Sequence, residues 1–391
     1  MSTRGLALSR LRKSLRRHAR EGWERAVFAC PGDDPSPQVL EGPGPGEPDE
    51  AEVTALVRAA EAAAAEGRVK QTLVLDARCR VRVDARHGHA RRITLDPERA
   101  RKVMGGKDRA LRPDQSAPLL RVIGLMNADG SLSARSAKKY KQVNHFVELC
   151  RPVWERLVAA RPPHADDPLR ILDLGCGNGY LGFVLMEALR LAEVPARLHG
   201  VDRRGDFVAQ CRERAEALGF GGLSFAEADI DAVRVGDTPL GGPPDLVVAL
   251  HACDTATDDA LALALHAGAR SILAAPCCQR QLAQQLEQQP AGAPAVPVPA
   301  LLQHAILRQG YAADLTDALR VELLEACGYR VDAIEFVGSQ HTPKNLLLRA
   351  HRRHAGAVRP ERWRLDAVRE RCDALGVHPR LLAALEAGPG R

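Results

Sequence analysis

Ile171-Leu172-Asp173-Leu174-Gly175-Cys176-Gly177-Asn178-Gly179 is the stretch whose reading decides the fold. An apolar run ends in an acid. Three glycines then alternate with short side chains, and a helical pattern begins. Glycines allow a sharp turn and let the backbone approach a ligand closely. A loop of this kind at the carboxyl end of a strand is where open α/β sheets bind ligands. The glycines fall as GxGxG, whereas the dinucleotide fingerprint is GxGxxG. Asp173 would repel a pyrophosphate and suits a cationic ligand.

Reading outward, strands and helices alternate. Leu169 to Leu174 is a strand, and a helix covers about 179 to 192. Further strands are expected at Arg197 to Val201, Leu223 to Ala226, Asp245 to Leu250 and Ser271 to Ala275, with helices between them. Tyr329 to Phe336 and Asn345 to Arg349 complete the set as an antiparallel pair with a tight connection, after a helix at about 314 to 327. This order predicts an α/β fold: a doubly wound, Rossmann-like sheet of seven strands.

Two more acids close strands of this sheet. Asp202, followed by Arg203, is placed to accept from both hydroxyls of a ribose. Asp229 suits an adenine amino group, and Ile230 can pack on the ring. The expected cofactor set is Asp173, Gly175, Cys176, Gly177, Asn178, Gly179, Asp202, Arg203, Asp229, Ile230, Leu250 and Gln142. The charge pattern fits S-adenosyl-L-methionine (SAM), which carries an ammonium and a sulfonium, better than a nicotinamide dinucleotide.

Three further motifs lie around this frame: Lys138-Lys139-Tyr140-Lys141-Gln142, Leu250 to Asp258 (LHACDTATD) and Pro276-Cys277-Cys278-Gln279. Together with the glycine loop they resemble a methyltransferase-domain family. That family includes eukaryotic methyltransferase-like proteins, one of them with a ribosomal RNA adenine dimethylase domain, and a tRNA acceptor-stem ribose methyltransferase. The likeness covers about residues 138 to 350. Where this family often carries His or Tyr after the paired cysteines, this chain has Gln279. The resemblance implies a class I SAM-dependent methyltransferase and points to RNA, tRNA or rRNA, as acceptor.

Methyl transfer asks the protein mainly to position an acceptor and at times to remove a proton. Substrate is expected over the ends of the fourth and fifth strands, which makes His251, Asp254, Cys253 and Cys277 the catalytic candidates. Three readings of this cluster stand side by side: a general base at His251 or Asp254, a cysteine nucleophile, and a zinc set of His251, Cys253, Cys277 and Cys278. Buried packing accounts equally for several of the cysteines, and the preferred reading assigns no metal. His341, Thr342, Pro343, Lys344 and Asn345 are expected to form a polar turn facing the substrate side.

The rest of the chain bounds the setting. It has 391 residues, 45% hydrophobic and 4% aromatic, with a formal net charge of +6. Residues 5 to 28 read as one amphipathic helix, 31 to 48 as a Pro/Gly-rich linker and 50 to 65 as a second helix. Gln71 to Leu75, Arg80 to Asp84 and Arg92 to Leu95 read as strands. The expected domains are a basic α+β domain over 1–130, a methyltransferase domain over 138–353 and a helical tail over 358–391. Basic residues crowd at Arg10, Arg12, Lys13, Arg16, Arg17 and Arg20, and again at Arg78, Arg80, Arg82, Arg86, Arg91 and Arg92. They fit either a solvated face or an RNA-binding one. Ten cysteines without a C-x-x-C pair suggest reduced thiols and a cytoplasmic protein. No membrane or DNA partner is expected, and the reading leaves the oligomeric state open. Protein or small-molecule methylation, and SAM binding without catalysis, are the alternatives.

Overall fold

The computed structural model describes residues 3–31, 36–44, 46–76, 79–94, 109–132, 134–250, 252–289, 300–335, 345–354 and 361–388. The chain divides into two compact units, Met1–Asn144 and His145–Arg391.

In the N-terminal unit, helix α1 covers Thr3–Ala19, and strand β1 follows at Trp23–Ala29. The expected helix to residue 28 therefore ends early. Gly22, at φ +83, breaks it after Ala19, because a left-handed residue is the ordinary way to end a helix. The expected linker holds a strand, β2 (Gln38–Gly44), paired only with β1. Its Pro43 is tolerated because β2 is an edge strand of the sheet. Gly42 is required there, since a Cβ would lie 2.1 Å from the Trp23 carbonyl oxygen. Helix α2 (Glu50–Ala65) starts on a capping box between Asp49 and Glu52. Strands β3 (Lys70–Val74), β4 (Cys79–Asp84) and β5 (His89–Thr94) complete an antiparallel sheet of order β2-β1-β3-β4-β5. Leu11 and Leu15 of α1 and Leu56 and Ala60 of α2 bury Phe28, Leu73, Val81 and Val83 on one face of that sheet.

The C-terminal unit is built on strands β6 (Leu169–Leu174), β7 (Ala196–Asp202), β8 (Leu223–Glu227), β9 (Leu246–Ala249), β10 (Ser271–Ala274), β11 (Tyr329–Glu335) and β12 (Leu346–Arg352). Their order is β11-β12-β10-β9-β6-β7-β8. The first five are parallel, and β12 runs antiparallel to both β10 and β11. From β6 the chain winds out through β7 and β8, then returns to β6's other side for β9. The strand order thus reverses at β6, and a crevice opens at the carboxyl ends of β6, β7 and β9. Leu172, Leu174, Val247 and Ile272 bury the centre of the sheet, as expected for strands covered on both faces.

Two helical expectations change. The helix before β11 covers Ala305–Ala326, longer than its apolar pattern shows, because much of its first half is solvated. The tail is two helices, Arg362–Leu375 and Arg380–Ala387, broken where Gly376 takes φ +62 and Pro379 follows. The connection 336–344 and the segment 290–299 lie outside the described residues. So do His341, Thr342, Pro343 and Lys344. Among the described residues, no helix is long and apolar enough to cross a membrane.

Candidate active site

The loop after β6 is folded by its own backbone. Gly175 and Cys176 donate to the Val201 carbonyl at 2.8 and 3.0 Å, and Gly179 donates to Cys176 at 3.0 Å. Gly175, Gly177 and Gly179 all sit at positive φ, +69, +56 and +71. At Gly175 a Cβ would meet the Ala252 nitrogen at 3.2 Å, so only glycine leaves room between the two loops. Helix Tyr180–Leu191 starts directly after Gly179.

Asp202, at the end of β7, ties this loop down. Its Oδ2 accepts the Gly177 N–H at 2.7 Å and its Oδ1 accepts the Arg204 N–H at 2.9 Å. Each oxygen keeps a lone pair. Asp202 lines a cleft of about 580 Å³ together with Gly175, Gly177, Asn178, Arg203, Arg204, Phe207, Asp229, Ile230, Ala252 and Cys253. That size suits a small-molecule ligand. The Arg204 guanidinium lies 3.6 Å from the Phe207 ring centroid.

Other expected cofactor residues lie elsewhere. Asp173 is 4% exposed and sits beneath the loop, outside the cleft lining. Burial, with Asp202 adding repulsion, pushes its carboxyl up to about 7. Its influence on a ligand is therefore one of charge rather than direct contact. Cys176 and Leu250 are buried packing residues, and Gly179 is closed in by Cys211 and Phe183. Gln142 belongs to the N-terminal unit, on helix Ala134–Ala160.

The loops after β9 and β10 meet. His251 lies outside the described residues. Asp254 holds the two loops together. Its N–H donates to the Cys278 carbonyl at 3.1 Å, and its Oδ1 accepts the Arg280 and Gln281 N–H groups at 2.8 and 3.2 Å. Its carboxylate is thus occupied as a clamp. Its own backbone is strained, at φ 54 and ψ −124.

A buried network that sequence reasoning missed holds that strain. Arg320, 1% exposed, donates to the Asp254 carbonyl at 3.0 Å and to Asp258 at 3.0 and 2.7 Å. It also reaches Asp317 at 3.1 Å, and Gln279 donates to both oxygens of Asp317. Only an Arg at helical spacing from Asp317 signalled this in the sequence. Beside the clamp, Cys253, Cys277 and Cys278 bring their sulfurs within 4.8 Å of one another.

The N-terminal unit has a second notable surface. The register places Arg25, Val74, Arg80 and Ile93 in one row, and Val27, Thr72, Arg82 and Arg91 in the next. This is the sheet face opposite α1 and α2. A cleft of about 820 Å³ on it is lined by Lys70, Arg82, His89, Arg91 and Arg121 among others. Burial and the neighbouring Arg82 and Arg25 lower the Arg80 pKa, against the pull of Asp129. Burial also lowers that of Arg121, next to Arg25 and Arg80, with Glu24 and Glu41 opposing. The Nε atoms of Arg25, Arg80 and Arg121 have no hydrogen-bond partner among the described residues. Arg82 itself reaches Asp129 at 3.4 Å, and other members of the basic runs are paired with Glu or Asp: Arg12 with Glu61, Arg16 with Glu50, Arg86 with Asp84 and Arg92 with Glu21. Arg78 lies outside the described residues.

Residues 138–285 match the model of a family described as Methyltransferase domain. No curated protein matches the chain. Among solved structures, the chain is similar to magnesium protoporphyrin IX methyltransferase from Synechocystis PCC 6803 with bound S-adenosylhomocysteine (SAH). Identity is 19% and the TM-score 0.33, over 60% of this chain and 93% of that one. It is also similar to the SAH-bound Podospora anserina methyltransferase PaMTH1, at 18% identity and TM-score 0.36, over 67% and 98% of the two chains. The Pyrococcus abyssi tRNA (uracil-54, C5)-methyltransferase with SAH matches at 15% identity and TM-score 0.29, over 54% and 38%. The glycine loop and the acid-lined cleft at the sheet's reversal point both lie within 138–285, the stretch that is similar to this methyltransferase-domain family.

Proposed function

We propose that the chain methylates RNA, tRNA or rRNA, and that the N-terminal sheet face grips the phosphate backbone. The arginine face carries this reading. Arg25, Arg80, Arg82, Arg91 and Arg121 gather on this face, where Asp129 contacts Arg82, Glu24 and Glu41 oppose the charge at Arg121, and Asp84 lines the same cleft but is engaged by Arg86. Partly buried like charges with unmet donors are costly, and a polyanion relieves that cost. The resemblance of the motifs around Lys138, Leu250 and Pro276 to a family with RNA-methylating members points the same way.

SAM, when bound, supplies a methyl group on a sulfonium for in-line displacement. The chain's residues do the rest. The Asp202 oxygens keep lone pairs for ribose hydroxyls while they hold Gly177 in place. Asp229 and Ile230 line the far wall for the adenine. Asp202 in the lining, with Asp173 beneath the loop when ionised, favours a cationic ligand and disfavours a phosphate. Cys253 stands at the cleft wall on the β9 side, where an acceptor would enter.

The test is transfer of radiolabelled methyl from SAM by the purified chain to RNA, protein and metabolite fractions from a strain lacking the gene. Label in RNA that falls with Arg82→Ala and Arg91→Ala is the expected result. Label confined to protein or metabolites rejects the RNA reading. SAM binding without label in any fraction favours a non-enzymatic SAM-binding role.

A further inference from the structure

We propose that Cys253, Cys277 and Cys278 form a three-thiolate site for a soft divalent cation of the zinc type, with no fourth protein ligand among the described residues. This goes beyond the methyltransferase reading and holds whatever the acceptor is. Cys253 follows β9, and Cys277 and Cys278 follow β10, two adjacent parallel strands. Their Sγ atoms lie 2.8 Å apart for Cys253 and Cys277, and 3.6 Å apart for Cys277 and Cys278. All three fall within 4.8 Å of one another.

Three sulfurs around one point match a metal's ligand shell better than a couple. A Zn–S bond of about 2.3 Å puts tetrahedral sulfurs about 3.8 Å apart. S–H groups are weak donors, so three thiols this close gain little from one another. A cation takes the thiols as thiolates and releases their protons.

The support around the site is rigid. The Asp254 N–H bonds the Cys278 carbonyl, its carboxylate receives two N–H groups of the β10 loop, and buried Arg320 holds its strained backbone. Such outer contacts are what fix the ligands of a metal site. Cys253 and Cys277 are exposed and Cys278 half-buried, so an ion has a path in. Cys253 also lines the cofactor cleft. Three protein ligands with an open fourth position are the pattern of a zinc ion that binds or polarises a substrate atom.

The experiment uses the full reduced chain with Co²⁺ as a spectroscopic probe and Zn²⁺ as competitor. The expected result is stoichiometric Co²⁺ uptake with a thiolate-to-cobalt charge-transfer band, bleached by Zn²⁺. Cys277→Ser and Cys278→Ser should each weaken uptake by more than about tenfold, the least that even outer-shell changes cost. Neither residue lines the cleft, so retained SAM binding by calorimetry shows that these variants fold. Co²⁺ bound without charge transfer, or bound equally by the variants, overturns the proposal. So does a reduced chain that takes up no ion while a mild disulfide oxidant joins Cys253 to Cys277, for the cluster is then a redox pair.

Discussion

At the residue scale, two carboxylates with the same chemistry are put to different uses by burial. Asp173 is sealed under the glycine loop, and its carboxyl is pushed from 3.8 to about 7. Between those values the folded chain binds more protons than the unfolded one. Its contribution to stability is therefore present below about pH 4 and lost as pH rises through about 7. A cationic ligand favours the ionised form. SAM affinity is expected to rise between about pH 6 and about pH 8, and Asp173→Asn is expected to flatten that rise in calorimetric titrations. Equal slopes for the two proteins would show that Asp173 does not titrate with the ligand. Asp202 is half exposed and already engaged by two N–H groups. Asp202→Ala removes ribose acceptors and frees the Gly177 turn. The expected loss is about 1.5–3 kcal/mol of SAM binding per charged hydrogen bond, read from the ratio of dissociation constants.

At the element scale, the two loops after β9 and β10 behave as one piece because a buried ion network joins them to helix Ala305–Ala326. Arg320 and Asp258 are about 2% and 4% exposed at their side chains. Removing one partner strands a buried charge. Asp258→Ala is expected to cost about 3–5 kcal/mol, measured as a shift in the urea midpoint at unchanged slope. Asp258→Asn, which keeps the shape and one acceptor, should cost less. Equal losses in the two variants would mean that packing rather than charge sets the effect. At the glycine loop, Gly175→Ala adds a Cβ at φ +69 and 3.2 Å from the Ala252 nitrogen. It should lower SAM affinity more than it lowers thermal stability, because the strain falls where the cofactor loop and the β9 loop touch.

At the scale of the whole molecule, a mixed seven-stranded sheet and a smaller antiparallel sheet each have their own core. The arginine face of the smaller sheet yields a prediction on ionic strength. If it meets phosphates, the slope of log affinity for RNA against log salt should fall by about 0.7–0.9 for each phosphate that is no longer neutralised. Arg82→Ala and Arg91→Ala should each give such a drop in filter binding. Arg86→Ala should not, because both Asp84 oxygens hold Arg86 at 3.0 and 2.7 Å in the β4–β5 turn, whereas Arg82 has a single 3.4 Å contact with Asp129 to give up. Identical slopes for all three variants would return the face to a solvated role. Strands and helices that alternate at their own periods are a local property, so the parallel sheet and its glycine loop were legible in the residues from 169 to 275. Local pattern misled where a single residue overrode it. Gly22 ended a helix whose amphipathic spacing ran on, and Gln38–Gly44 became a strand because β1 offered it an edge. Long-range pairing was not legible at all. That Asp254 would spend its carboxylate on the β10 loop, that Arg320 would hold it, and that three cysteines from two loops would converge depends on contacts between residues 24 to 66 positions apart. The amino-acid sequence by itself determined the alternating strands and helices of the sheet and the glycine loop, since these follow from short-range period and turn chemistry. Only the tertiary structure decided which acids face the cleft and which hold the loops, because burial and partner choice arise only when distant segments are packed together.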